Sequence, residues 1–207
     1  PTSTHYEVAK HAILKGCHVF IEKPITKDVD EAKELIALSK QCNKLIQVGH
    51  IERFNPAFCA FNAENINPQF VESHRLSPFN IRGTDVDVIL DLMIHDIDIL
   101  ITLIKSDIKY INASGVSVLS KTIDMANTRI EFENGCVANM TASRISQKKL
   151  RKFRVFEPKS YTNMDFLNPC VETYVLSGDR PKNDCSYLVV NKNEEKYILY
   201  DKPKINL

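Results

Sequence analysis

Glu22 and Lys23 close a short apolar run, Val19-Phe20-Ile21, and Pro24 follows at once. The run reads as a buried strand that carries a carboxylate and an ammonium to its C-terminal tip. Proline holds its own φ and biases its predecessor toward extended backbone, so the strand stops there. Ligands of open α/β sheets gather outside the carboxyl ends of the strands. A lysine fixed at such an end can meet a ligand with a charge or a proton, although the same pair also suits an ordinary polar strand end.

A second group lies in a long apolar stretch, Val86 to Ile104, where Asp91, His95 and Asp98 recur at i, i+4 and i+7. That spacing puts them on one face of a helix. Carboxylates beside an imidazole can fix its tautomer and raise its pKa, which suits an acid/base histidine. The same residues could equally form a buried polar cluster closing the helix against loop backbone. His95-Asp96 also resembles the paired ligands of metal-dependent phosphohydrolases. Neighbours on a helix diverge by roughly 100°, however, and neither His50 nor His74 stands at a ligand-like spacing.

The third group is Gly49-His50-Ile51-Glu52-Arg53-Phe54-Asn55-Pro56. It follows a strand end and should line the same crevice as Lys23. Arg53 could pair with a phosphate or carboxylate, and Phe54 could pack on a sugar or nicotinamide face. A polar strand-to-helix turn, with Asn55 as a simple cap, is the plainer reading. Together the three groups imply a cleft between two units, where small-molecule sites commonly lie.

The elements that must position these residues follow two rhythms. Up to about residue 55, helix, strand, helix and strand alternate with short turns, as in a parallel α/β sheet. Thr4 with Glu7, and Asp28 with Glu31, have capping-box spacing. Gly16 suits a left-handed C-cap, and Asn55-Pro56 an N-cap opening a short helix to about Ala63. Beyond it come strands at Phe70–Arg75, Tyr110–Leu119, Asn127–Glu133, Cys136–Arg144, Lys152–Phe156, Glu172–Leu176, Ser186–Asn191 and Lys196–Tyr200. Strands without intervening helices indicate an antiparallel sheet. Asn134-Gly135 signals a type I′ hairpin, and Gly178 to Asp184 reads as a loop. The expected fold is α/β plus α+β: residues 1–55 as part of a Rossmann domain, and 56–207 as an α+β substrate or dimerisation domain with a large, mainly antiparallel open sheet.

Hydrophobic residues make up 43% of the chain, charged residues 26%, and the formal net charge is +1. That balance is ordinary for a globular protein and offers no basic field for nucleic acid or an anionic membrane. No apolar stretch reaches membrane-spanning length, and no signal peptide is expected. The six cysteines are scattered without a C-x-x-C, which reads as reduced thiols in a cytoplasmic protein.

In order and spacing, Pro1-Thr-Ser-Thr-His5, Glu22-Lys23-Pro24, Gly49-His50 with Arg53-Phe54-Asn55-Pro56, and Asp91-x3-His95-x2-Asp98 resemble the glucose–fructose oxidoreductase / inositol dehydrogenase / rhizopine-catabolism (Gfo/Idh/MocA) family. Gly-His-Ile-Glu-Arg-Phe-Asn-Pro and Leu-Met-Ile-His-Asp-Ile-Asp are most similar to its nucleotide-sugar members, such as the UDP-N-acetylglucosamine 3-dehydrogenases. The resemblance implies hydride transfer between a sugar or nucleotide-sugar carbinol carbon and NAD or NADP. It implies Lys23, His95 and Asp91 as catalytic residues, with Lys23 bonding the reacting hydroxyl, His95 handling its proton and Asp91 orienting substrate or His95. Thr2, Ser3, His5, Glu22, Lys23, Pro24, His50 and Arg53 would contact the cofactor. Arg53, Phe54 and Asn55 would join the catalytic residues at the substrate, and the sheet would make a homodimer or homotetramer. The chain departs from the family in having no G-x-G-x-x-G among its 6 glycines. That loop is expected upstream of Pro1, so the 207 residues alone are expected to bind NAD(H) weakly and to be inactive. A metal-dependent phosphohydrolase using His95 and Asp96, or a non-catalytic dimerisation or binding module, are the competing expectations.

Overall fold

A computed structural model describes residues 1–61, 63, 66–80, 86–178, 198–203 and 205, and the backbone alone at 186–191, 196 and 197. The first unit alternates α1 (His5–Leu14), β1 (Val19–Glu22), α2 (Val29–Gln41) and β2 (Ile46–Gly49). β1 and β2 are parallel, with Val19 opposite Ile46 and Glu22 opposite Gly49. The helices form because Ala9 and Ile13 on α1 and Leu35 on α2 can be buried against Ile21. Gly16, at φ +83°, makes the left-handed turn from α1 into β1 without a Cβ penalty.

Neither expected capping box forms. Thr4 is helical and its hydroxyl donates to Pro1 O, because a 3-10 turn over Thr2–Thr4 already precedes α1. Asp28 does sit at the N-cap of α2 with extended backbone, but its side chain makes no cap bond.

After β2 comes a 3-10 turn (Ile51–Phe54), then α3 (Pro56–Ala60), shorter than expected, and β3 (Phe70–Leu76). The apolar stretch is not one uniform α-helix. A π-helical turn spans Ile89–Met93, and α4 runs Ile94–Leu103. Nor is it buried all round, since Ile101 is 55% exposed. Then follow β4 (Ile108–Val116), β5 (Met125–Phe132), β6 (Val137–Ser143), β7 (Leu150–Glu157), β8 (Ser160–Asp165), β9 (Cys170–Ser177), β10 (Ser186–Asn191) and β11 (Lys196–Asp201). They join β3 in a nine-stranded sheet ordered β10-β11-β9-β8-β7-β3-β6-β5-β4. All its pairings are antiparallel except β3 with β6.

β8 was not expected from the sequence. A Pro158-Lys159 turn with Lys159 at φ +68° links it to β7, without the glycine that usually marks a positive φ. The β5–β6 hairpin occurs where expected but is not type I′. Only Gly135 has positive φ, at +86°, and Gly135 N donates to Phe132 O; type I′ needs positive φ at both central residues. The expected loop at Gly178 to Asp184 lies, beyond Gly178, outside the described residues.

One sheet face carries α3, the π turn and α4 over a core that includes Val71, Met140, Phe153, Ile99 and Leu100. The other face is open. Across it Phe70, Phe156, Tyr161, Tyr174 and Tyr200 stand directly opposite one another on adjacent strands, with ring centroids 4.9–5.8 Å apart. No helix among the described residues is long and apolar enough to cross a membrane.

Candidate active site

Lys23 stands at the tip of β1, and its Nζ donates to the backbone carbonyl of Asp91 at 2.5 Å. The same ammonium lies 3.7 Å from Asp91 Oδ1. The strand of the first unit therefore meets the π turn of the second, as the cleft reading required. Burial lowers the pKa of Lys23, and Arg75 adds to that, while Asp91 pulls the other way. π turns occur often at functional sites. Here one carries Asp91 and ends just before His95.

His95 departs from expectation in sign. Its pKa is pushed down to about 3, not up, first by burial and then by the charges of Arg75, Lys23, Arg151 and His50. The aspartates near it in sequence are committed elsewhere. Asp91 faces Lys23. Asp96 takes both arms of Arg75 at 3.0 and 2.6 Å, and Asp98 takes both arms of Arg53 at 2.7 and 2.6 Å. His95 is thus a neutral imidazole, and its buried Nδ1 has no partner.

The turn after β2 is tied to this helix twice. Glu52 accepts from Arg75 Nη1 at 2.8 Å, and Arg53 holds Asp98. Arg75, Asp96 and Glu52 are 2%, 3% and 7% exposed, so this ion cluster is dry and excellent geometry must offset its desolvation. Arg53 was expected to seize a ligand anion, but its fork is occupied by Asp98. Asn55 was expected at the substrate, but its amide is used structurally. Oδ1 accepts from Ala57 N and caps α3, while Nδ2 donates to Glu52 Oε1 and Phe166 O. Phe54 is 76% exposed and lines a cavity of about 350 Å³ with His50, Arg53 and Phe20. His50 Nδ1 is buried, unpartnered and 3.7 Å from Asp98 Oδ1.

His5 and Glu22 share a groove along α1 and β1 with Thr4. The His5 ring bonds Pro24 O at 2.9 Å. Thr2 and Ser3 belong to the turn that begins this helix. At the β2 end, a Cβ on Gly49 would come within 2.9 Å of Glu22 Oε2 and 3.2 Å of the Phe20 ring, so Gly49 leaves room for these two side-chain ends between the strand tips. The orphaned imidazole and the lysine suit the nicotinamide end of a dinucleotide. The phosphohydrolase alternative does not fit. Asp96 is locked to Arg75, and no three His, Cys, Asp or Glu side chains gather as metal ligands among the described residues.

Sequence reasoning missed Arg75 and gave Glu52 no role. The signal for Arg75 was available, since Val71, Ser73 and Arg75 share one phase of β3 and that phase is the buried one.

Residues 1–50 match the model of the oxidoreductase family with an NAD-binding Rossmann fold. Residues 43–159 match the Gfo/Idh/MocA C-terminal domain. The UDP-N-acetylglucosamine 3-dehydrogenase of Acidithiobacillus ferrooxidans is 39% identical over 175 residues, 84% of this chain and 56% of that protein. The scyllo-inositol 2-dehydrogenase (NAD(+)) of Bacillus subtilis is 29% identical over 162 residues, 70% of this chain and 47% of that protein. A solved structure of the A. ferrooxidans enzyme aligns with a TM-score of 0.85 at 33% identity, covering 100% of this chain and 63% of that one. The chain spans about half the length of these two relatives.

Proposed function

The chain belongs to the Gfo/Idh/MocA oxidoreductase family, and on that premise we propose that it contributes the proton-transfer and substrate-orienting part of an NAD(P)-dependent sugar or nucleotide-sugar dehydrogenase. The observation that carries this reading is the half-buried His95, whose Nδ1 has no hydrogen-bond partner, on the helix whose preceding π turn bonds Lys23. A nicotinamide bound there would supply the hydride acceptor for the carbinol carbon. His95 takes the hydroxyl proton on a ring nitrogen as the carbonyl forms. Lys23 donates a hydrogen bond to the same oxygen, and Asp91 holds Lys23 in place. Glu22, Lys23, Pro24 and His50 would face the nicotinamide end, with Thr2, Ser3 and His5 along the adjoining groove.

Transfer by a positioned acid or base contributes about 10²–10⁴-fold. Lys23→Ala and His95→Ala should each cut turnover of a nucleotide-sugar by that order in the full-length gene product, followed by nicotinamide absorbance. Wild-type turnover in either variant overturns the role given to that residue.

Residues 1–55 would act as the dinucleotide-binding side and 56–207 as the substrate side. The unpaired state of the five described cysteines supports a reducing, cytoplasmic setting. The half-buried aromatic row on the open sheet face supports a homodimer, or a homotetramer, closed through that face. Tyr174→Lys should shift the mass seen by light scattering toward the monomer; an unchanged assembly rules that interface out.

A further inference from the structure

Arg151 has no use in the scheme above, yet its placement is unusual. It lies directly opposite Arg75 in the β3–β7 ladder, so both project from the same face of the sheet, the face that carries the His95 helix. Like charges directly opposite in a ladder are unfavourable. Arg75 is neutralised by Asp96 and Glu52. Arg151 is exposed, and its side chain forms no hydrogen bond or ion pair with another described residue. Its charge nonetheless reaches His95.

Its backbone is anchored to the site. Phe166 N donates to Arg151 O at 2.8 Å, and Phe166 O accepts from Asn55, the cap of the turn that carries His50 and Arg53. The segment leading into it, Gln147-Lys148-Lys149-Leu150-Arg151, holds three cations and no acid. Lys148 and Lys149 are exposed and, like Arg151, form no ion pair among the described residues. The next cation, Lys152, points to the other face, where it pairs with Asp165 at 3.0 Å. A guanidinium left free on the face that carries the His95 helix, at the end of a basic loop, is suited to a multiply charged phosphate anion.

Building on the dehydrogenase reading, we propose that Arg151, assisted by Lys148 and Lys149, binds the phosphate groups of a nucleoside diphosphate-linked sugar while its sugar hydroxyl lies at His95 and Lys23. Arg151 is then a specificity residue: it selects phosphorylated substrates over neutral sugars and does not touch the reacting atoms.

The test compares the full-length protein with Arg151→Met, which keeps the stem and removes the fork, and with Arg151→Lys. UDP alone is titrated calorimetrically, and UDP-N-acetylglucosamine and free N-acetylglucosamine are assayed as substrates. Losing a charge-assisted pair of bonds should weaken UDP binding and raise KM for the nucleotide-sugar by roughly 10- to 100-fold. Turnover at saturation and any turnover of the neutral sugar should stay near wild type, with Arg151→Lys intermediate. Added salt should raise KM less steeply in Arg151→Met than in the parent. Unchanged UDP binding in Arg151→Met overturns the proposal. So does an equal loss toward both sugars together with lower thermal stability, because that marks Arg151 as structural. A parent protein that binds UDP through Arg151 but oxidises neither sugar leaves the anion site standing and defeats the dehydrogenase reading instead.

Discussion

Arg144 and Arg75 are both buried guanidiniums, 3% and 2% exposed, and each is aimed at a buried aspartate. Around Arg144 every demand is met. Asp124 accepts the backbone N–H groups of Val118, Leu119 and Ser120, the Ser120 hydroxyl and Arg144 Nε. Arg144 Nη1 donates to Val86 O at 2.9 Å. None of these side chains leaves a buried polar atom unpartnered. Around Arg75 the carboxylates are equally well held, but His95 Nδ1, His50 Nδ1 and Ser73 Oγ nearby are buried without partners. Each such orphan in a native structure calls for an explanation, and a ligand or ordered water is one. The closed cluster ties a loop to the start of the π turn; the open one is where a ligand can be accommodated.

The largest expected effect separates stability from catalysis. Removing one partner of a buried ion pair costs about 3–5 kcal/mol. Asp124→Ala should lower unfolding free energy in urea by that order while turnover per folded molecule persists. Arg75→Met should destabilise comparably and also cut turnover, because Asp96 and Glu52 would then repel each other beneath His95. Equal catalytic loss in both variants would erase the distinction between the clusters.

Acid should separate the two clusters by pH window. His95 has its pKa pushed from 6.5 to about 3, so below pH 6.5 the unfolded chain binds a proton that the folded one refuses. Its contribution is complete above pH 6.5 and declines as the pH falls toward 3, by up to about 1.4 kcal/mol per pH unit. Asp124 is shifted down from 3.8; its contribution is complete above that value and fades only at lower pH. Urea unfolding between pH 4 and pH 6.5 should therefore show a slope that His95→Gln removes and Asp124→Asn leaves in place. A slope surviving in His95→Gln would show that the imidazole is not held neutral by the fold.

Most of the α- and β-elements, and the meeting of the Lys23 strand tip with the helix that carries His95, were legible because each rests on local pattern: period-2 or helical spacing, a strand tip, an interrupted apolar helix. The charge state of His95 was not. Its sequence neighbours Asp91, Asp96 and Asp98 are acids, but the groups that act on it, Arg75, Lys23, Arg151 and His50, come from β1, β3, β7 and the turn after β2. The π turn was equally hidden, since no proline or glycine marks Ile89–Met93. β8 was hidden by its polar Ser-Tyr-Thr-Asn-Met-Asp sequence.

Arg53 offers the smallest and most discriminating change, because it belongs to the open cluster yet reaches solvent. Its side chain is 49% exposed, whereas that of its partner Asp98 is 9% exposed. Two effects compete in Arg53→Ala. A buried carboxylate losing its only bidentate partner would suffer a full desolvation penalty if the site stayed dry. The space vacated by a half-exposed arginine instead admits water to Asp98, and exposed pairs are worth about 1 kcal/mol or less. Access should win, so Arg53→Ala is expected to cost about 1 kcal/mol in urea unfolding. Arg53→Lys should fall between it and wild type, because an ammonium restores charge but not the fork. A loss as large as that of Arg75→Met would mean that water does not enter, and that this part of the site is as closed as the cluster around Arg144.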